Sequence, residues 1–403
     1  MRTEGIQVQM RLDALDPTAS EAAIGDVVIR CRDGSQARVD TSRGSALHRW
    51  IDFGGHVLPT FLVVYLWCVG LTYVPLLLFA SWSVKPTGPT RLPFLLDWNI
   101  AFTFLVSFPT LVLLIVSDER GLALALKRVW ASGVISTDVE DGEALARRWN
   151  VRFRWANVGA YGVGLSAGAV LSWFTLQAYV WTNAGFWAAP TGVPEAIGYV
   201  YLYCIALLYA AILVFVARSV LIALFLKELV ERLTIRLLPF HPDGCGGLQP
   251  VGRLGLRNQY TLTILGLNIV IFGFVTLHYL VPHGAELYLM TIAVLVYAIL
   301  GPVVFMGPLL PFRAGMLRSK AVLMGELSER LRTDFTAIRG KLQTEGLSNA
   351  DVEALERLKK VGAMIEELPV WPFDARTLRT FGSAYVVPFV LPLLSKVVVS
   401  WLA

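Results

Sequence analysis

Ile197–Leu226 reads IGYVYLYCIALLYAAILVFVARSVLIALFL, 30 residues with Arg218 as the sole charge. A helix needs about 20 apolar residues to cross the roughly 30 Å hydrocarbon core of a bilayer, and this stretch exceeds that. It reads as a membrane span and so decides the class of fold. Composition agrees: 55% hydrophobic and 16% charged residues, with a mean hydropathy of +0.59, cannot cover a soluble globule with polar surface. Working outward, His56–Ala80, Trp98–Ser117, Asn157–Trp181, Tyr260–Val281, Glu286–Pro311 and Phe381–Leu402 are further candidate spans. These are long runs, unlike the short alternating strands of an outer-membrane barrel. The expected fold is an all-α integral membrane protein with about seven transmembrane helices, a cytoplasmic helical hairpin and a small N-terminal β-hairpin.

Lys and Arg sort between the connections, 31 on one set of segments against only Lys85 and Arg91 on the other. Retained loops carry the positive charge, so the N-terminus and the segments 118–156, 227–259 and 312–380 are expected in the cytoplasm. The implied location is the bacterial inner membrane, multi-pass. The expected organisation is a cytoplasmic arm over 1–55, a six-helix bundle over 56–311, a helical hairpin with a short aromatic segment over 312–380, and a last span or re-entrant helix over 381–403. Pro388, Pro392 and Lys396 interrupt that last stretch. No signal-peptide core precedes the first span. The four cysteines, Cys31, Cys68, Cys204 and Cys245, form no CxxC pair, which argues against a disulfide framework and a zinc site. No cofactor or metal is expected. The net charge of +5 reflects positive-inside bias and makes no case for nucleic acid.

In the N-terminal arm, two short strands around Asp33-Gly34 read as a hairpin, expected to dock on other cytoplasmic pieces or a second subunit. Glu119–Arg154 reads as a partly amphipathic helical connector at the membrane surface. Beyond the sixth span, Leu317, Met324, Leu331 and Ile338 repeat every seven residues, with Ala321, Ser328, Phe335 and Leu342 as a companion row. Gly346 ends that helix. Ser348 and Asp351 begin a second, whose apolar face is Val352, Leu355, Leu358 and Ile365. An antiparallel hairpin follows, which either packs on itself or assembles subunits.

LLPFHPDGCGGLQPVGRLG, Leu237–Gly255, lies between two spans. Pro239, Pro242 and Pro250 fix φ, while Gly244, Gly246 and Gly247 permit left-handed backbone and close approach. Asp243 between proline and glycine is turn chemistry, its carboxylate accepting from amides ahead of it. His241 is a ligand or proton carrier by type. The glycine spacing matches neither a dinucleotide fingerprint nor a P-loop, and alternate spacing makes joint coordination of a metal by His241, Asp243 and Cys245 awkward. His241 and Asp243 acting as an acid/base pair on lipid headgroups stays open as an enzymatic reading, with no recognisable nucleophile motif beside them.

Before the last span, Leu368-Pro-Val-Trp-Pro-Phe-Asp-Ala-Arg376 places Trp371 and Phe373 at an interface, with Asp374 capping the helix that follows. The HPDGCGGL and WPFD stretches together resemble those of a broad group of bacterial polytopic membrane proteins. The resemblance covers much of the chain from the fourth span onward and includes the helical hairpin. It implies a membrane location and a single architecture joining both motifs, and carries no activity.

The spans hold few ionisable residues, unlike an ion-coupled carrier, and Arg218 has no evident partner. Span three carries Gly159, Gly162, Gly164 and Gly168, which permit tight helix contact. Span six holds Gly301, Pro302, Gly307, Pro308 and Pro311, so a kink or break is expected there. The resulting expectation is an oligomeric gated channel or membrane-perturbing signalling protein in the lipid bilayer, with span six as gate and the His241–Gly247 loop as latch. Two alternatives stand beside it: a membrane-embedded enzyme using His241 and Asp243, and a non-conducting scaffold recruiting a soluble cytoplasmic partner.

Overall fold

The computed structural model describes residues 26–30, 36–43, 45, 60–80, 92–135, 142–182, 186–189, 194–233, 235, 241, 243–279, 284–344, 349–374, 376–383 and 385–386. Over these residues the chain is mostly helical with one small sheet. Strands β1 (Asp26–Arg30) and β2 (Gln36–Asp40) pair antiparallel, Val27 opposite Val39 and Ile29 opposite Ala37. The period of two puts these four side chains on one face, and all four are buried. The Asp33-Gly34 turn lies outside the described residues.

Helices α1 (Thr60–Leu71) and α2 (Tyr73–Phe79) are separated at Thr72. Pro75 lacks an amide and its ring crowds the Leu71 carbonyl, which explains a break there. Then come α3 (Trp98–Ala131), with a π turn at Thr103–Ser107, α4 (Gly142–Thr182) and α5 (Ala196–Arg232). They are followed by α6 (Gln249–Tyr279), α7 (Gly284–Met306), α8 (Leu310–Thr344) and α9 (Asn349–Glu366). Among the described residues five segments are long and apolar enough to cross a membrane: α1 with α2 over Phe61–Phe79, α3, α4, α5 and α6. The α7 and α8 pair makes a sixth if, despite its 45° bend, it is one span. Of the expected last span, everything beyond residue 386 lies outside the described residues.

The long helices outrun a bilayer. The 41 residues of α4 extend roughly 60 Å at the rise of an α-helix. Much of Glu119–Arg154, expected as a surface connector, is therefore the continuation of α3 and α4 as two long helices. Their extensions, the lower parts of α5 and α6, and the β-hairpin enclose one apolar cluster at the basic end, with Val27, Ile29, Leu126, Trp149, Phe225 and Phe305 among its buried members. The hairpin thus docks on α3 and α4 of its own chain. At the opposite end Phe94, Phe186, Trp187 and Tyr201 pack edge to face or tilted. Asp97 there accepts from Trp187 Nε1 at 2.9 Å and from the Ile100 amide at 3.2 Å, capping α3.

Helices α8 and α9 form an antiparallel hairpin: Lys320 Nζ, near the start of α8, donates to the Glu366 and Leu368 carbonyls at the end of α9. The seam differs from the sequence expectation. Leu327 and Ile338 are buried, and Leu323, Met324 and Leu331 are partly buried, whereas Leu317 of the expected row and Ala321, Ser328 and Phe335 of its companion are exposed. The companion row lies three residues on from Met324 rather than four from Leu317, because α9 covers that flank of the helix.

Candidate functional site

The HPDG loop is built around one carboxylate. Asp243 Oδ1 accepts from the amides of Cys245 at 2.9 Å and Gly247 at 3.0 Å, and Oδ2 from that of Gln249 at 3.2 Å. His241 Nδ1 lies 2.8 Å from Asp243 Oδ1 and 3.4 Å from the Asp243 amide nitrogen, so the imidazole closes the turn over its own aspartate. Burial pulls the Asp243 carboxyl up, but these amides and His241 outweigh it and hold it below its ordinary value. The loop thereby delivers the chain into the first turn of α6. Gly244, Gly246 and Gly247 all have positive φ. Gly247, at φ 92, also lies so close to Val134 that a Cβ would collide with its side chain. Of the remaining predicted loop residues, Pro239 and Pro242 lie outside the described residues.

The WPFD segment meets the same turn of α6. At Gly252 a Cβ would strike the Pro372 carbonyl and the Phe373 side chain. Trp371 stacks under Arg313, with the guanidinium carbon 4.3 Å from the ring centroid. Phe373 packs 5.8 Å from Phe305 and Phe381 stacks on Phe305 at 4.1 Å. Asp374 accepts from the Thr377 amide at 2.8 Å and caps the helical stretch 376–383. The Thr377 hydroxyl and amide hold the Asp374 carboxyl below its usual range. Trp371 and Phe373 are thus packed against Arg313, Phe305 and Gly252.

Phe305 belongs to the last turn of α7, so the aromatic segment and the first turns of α6, which the loop leads into, converge on the break between α7 and α8. The 45° bend falls at Gly307-Pro308-Leu309, while Pro302 stays inside α7. Gly301 faces the Tyr385 ring, and Tyr385 donates its hydroxyl to the Ala298 carbonyl at 2.6 Å. The four expected hinge residues therefore divide: Gly307 and Pro308 make the bend, whereas Gly301 and Pro302 lie where the C-terminal segment packs along α7.

What this arrangement can do chemically is restricted. Three amides and His241 occupy the Asp243 carboxylate. Burial, with the charges of Asp243 and Asp374, pushes the Cys245 thiol up to about 12, so it stays protonated and is a poor nucleophile. Among the described residues no three His, Cys, Asp or Glu side chains are placed to hold a metal.

A second constellation escapes sequence reasoning. Arg218 Nη2 donates to Glu119 Oε1 at 2.8 Å, both side chains 4% exposed. Its Nη1 donates to Asn157 Oδ1 at 3.1 Å, and Asn157 Nδ2 donates to the Thr41 and Arg43 carbonyls beyond β2. Beside it Arg257 binds Asp118 Oδ1 at 3.0 Å and the Ser117 carbonyl at 3.1 Å, in space left by the missing side chain of Gly121. One polar layer thus ties α3, α4, α5, α6 and the segment after β2 together. The available signal was the demand for a carboxylate at the depth of Arg218, met by Asp118-Glu119 at the end of span two. Compared with protein-family models, curated proteins and solved structures, the chain matches none, so its own residues carry the functional argument.

Proposed function

We propose that the chain is a seven-span protein of the bacterial inner membrane, N-terminus in the cytoplasm, working as an oligomeric gated channel. The observation that carries this reading is the convergence on Phe305, just before the 45° bend, of both the WPFD segment and, through α6, the HPDG loop. Gly255 of α6 abuts the Phe305 carbonyl and the Leu309 side chain, while Phe373 and Phe381 hold the Phe305 ring. A span broken at glycine and proline is kinked there by its lost backbone hydrogen bonds, and here Gly255 of α6, the helix that the carboxylate-organised loop leads into, packs against the break at Phe305 and Leu309. In this reading the loop is the latch, the bend is the gate, and α8 with α9 couples motion below the membrane to the bundle. The dedication of the Asp243 carboxylate to its own loop supports a latch over a catalytic base.

The test is solute flux from liposomes holding purified wild-type chain or Asp243→Ala of matched oligomeric size. Flux above empty liposomes, altered in the variant, is the expected result. Absence of flux across a range of pH, voltage and calcium would remove the channel reading. The scaffold reading has its own support in exposed Phe335, Val352, Val361 and Met364 on the hairpin, which suit a soluble partner.

A further inference from the structure

Between the lower halves of α4 and α5 runs an open groove of about 890 Å³, lined on one wall by Trp149, Arg152 and Trp155 and on the other by Leu224, Lys227 and Arg232. It continues along the same seam into a smaller cavity of about 110 Å³ between Ala160, Ala217, Val220 and Leu221, which reaches Arg218. We propose that this groove binds one anionic phospholipid of the bilayer, its phosphodiester on the basic residues and an acyl chain along the α4/α5 seam.

The basic end is organised in advance. Glu228 accepts from Trp149 Nε1 at 2.9 Å and pairs with Arg152 at 3.1 Å, Arg148 at 3.3 Å and Arg232 at 3.3 Å. One carboxylate thus fixes three guanidiniums, and five donors on each leave most N–H groups free for a phosphate. Arg152 is further held over the Trp149 ring at 5.0 Å. Arg152, Lys227 and Arg232 line the groove against Glu228 and Glu231, a surplus of one positive charge that Arg148, paired to Glu228 beside the groove, raises to two, which favours an anionic headgroup over a zwitterionic one. The apolar end suits a chain: Trp155, Val220 and Leu224 are exposed beside it, and Trp at this level is an interfacial residue. A free inorganic anion would use the first half of the site and leave the second empty.

The proposal rests on the membrane placement of the chain and not on conduction. The test uses full-length protein in mild detergent, with lipid adducts counted by native mass spectrometry after addition of phosphatidylglycerol or phosphatidylcholine of identical acyl chains, or glycerol phosphate. Wild type should retain phosphatidylglycerol over phosphatidylcholine by roughly tenfold or more, as surface cations near an anionic headgroup allow, and should retain glycerol phosphate weakly. Arg152→Gln with Lys227→Gln should abolish the preference, while Arg330→Gln with Arg332→Gln on α8 should leave it intact. Leu224→Trp, which narrows the apolar half without touching a charge, should weaken retention and serves if the double variant does not fold. Equal retention of both lipids by wild type, or an unchanged preference in the groove variants, overturns the site, as does a groove variant that loses self-association but keeps its lipid. Failure of the wild type to enter liposomes would instead overturn the membrane placement.

Discussion

Arg218 and Glu119, 99 residues apart in sequence, pair at 2.8 Å with both side chains almost wholly buried. Removing one partner strands the other in an apolar bundle. Arg218→Ala or Glu119→Ala should therefore destabilise the fold by about 3–5 kcal/mol, and Arg218→Met combined with Glu119→Leu should recover most of the loss. Thermal unfolding of the purified variants reads this directly. If both single variants melt like wild type, the pair does not hold the bundle.

The glycines of the HPDG loop separate backbone strain from crowding. Gly244 at φ 64 has open space where a Cβ would stand, whereas Gly247 at φ 92 faces Val134. Gly244→Ala should cost only the left-handed penalty, about 1–2 kcal/mol. Gly247→Ala should cost more, and Gly252→Ala should push the WPFD segment off α6. Melting temperatures ranked in any other order between the first two would show that the Ser132–Val134 turn yields freely to a new side chain.

Why some of this was legible in the sequence and some was not follows from range. Ile197–Leu226 announces a helix by its length, and its whole extent lies within α5. Asp243 and Asp374 organise amides within six residues of themselves, so proline and glycine neighbours suffice to read them. Arg218–Glu119, Asn157 with the Thr41 carbonyl, and Gly252 with Pro372 join residues about 100 or more apart, and no local pattern encodes such pairings. The companion row on α8 was misplaced for another reason: a seven-residue repeat fixes a row of side chains but not which flank its partner helix covers.

Asp243 gives a pH dependence with a definite sign. Its folded carboxyl is held below its ordinary value of 3.8, so its contribution to loop stability is complete above that pH and is lost as pH falls through the folded value. Acidification below about pH 4 should lower the protection of the Cys245, Gly247 and Gln249 amides, measured as exchange relative to the intrinsic rate at each pH, in wild type. Asp243→Asn should show faster exchange already at neutral pH and a smaller acid response at these amides. Identical acid profiles in the two proteins would falsify the carboxylate as organiser of the loop.

The bend at Gly307-Pro308-Leu309 is testable by distance. Pro308 has no amide to give to the helix and its ring opposes the Val304 carbonyl, so Pro308→Ala removes the chief obstacle to continuity between α7 and α8. Val296 and Val322 are exposed on the two arms, which makes them suitable positions for a pair of spin labels. Straightening a 45° bend between arms of this length should lengthen their separation by about 3 Å, at 1.5 Å of rise per residue. The change has two possible sources, and flux tells them apart. If the proline sets the bend and the bend sets the gate, distance and conductance shift together in Pro308→Ala. If the distance holds at its wild-type value, the grip of Phe373 and Phe381 on Phe305 determines the angle, and Phe373→Ala becomes the variant in which both should move.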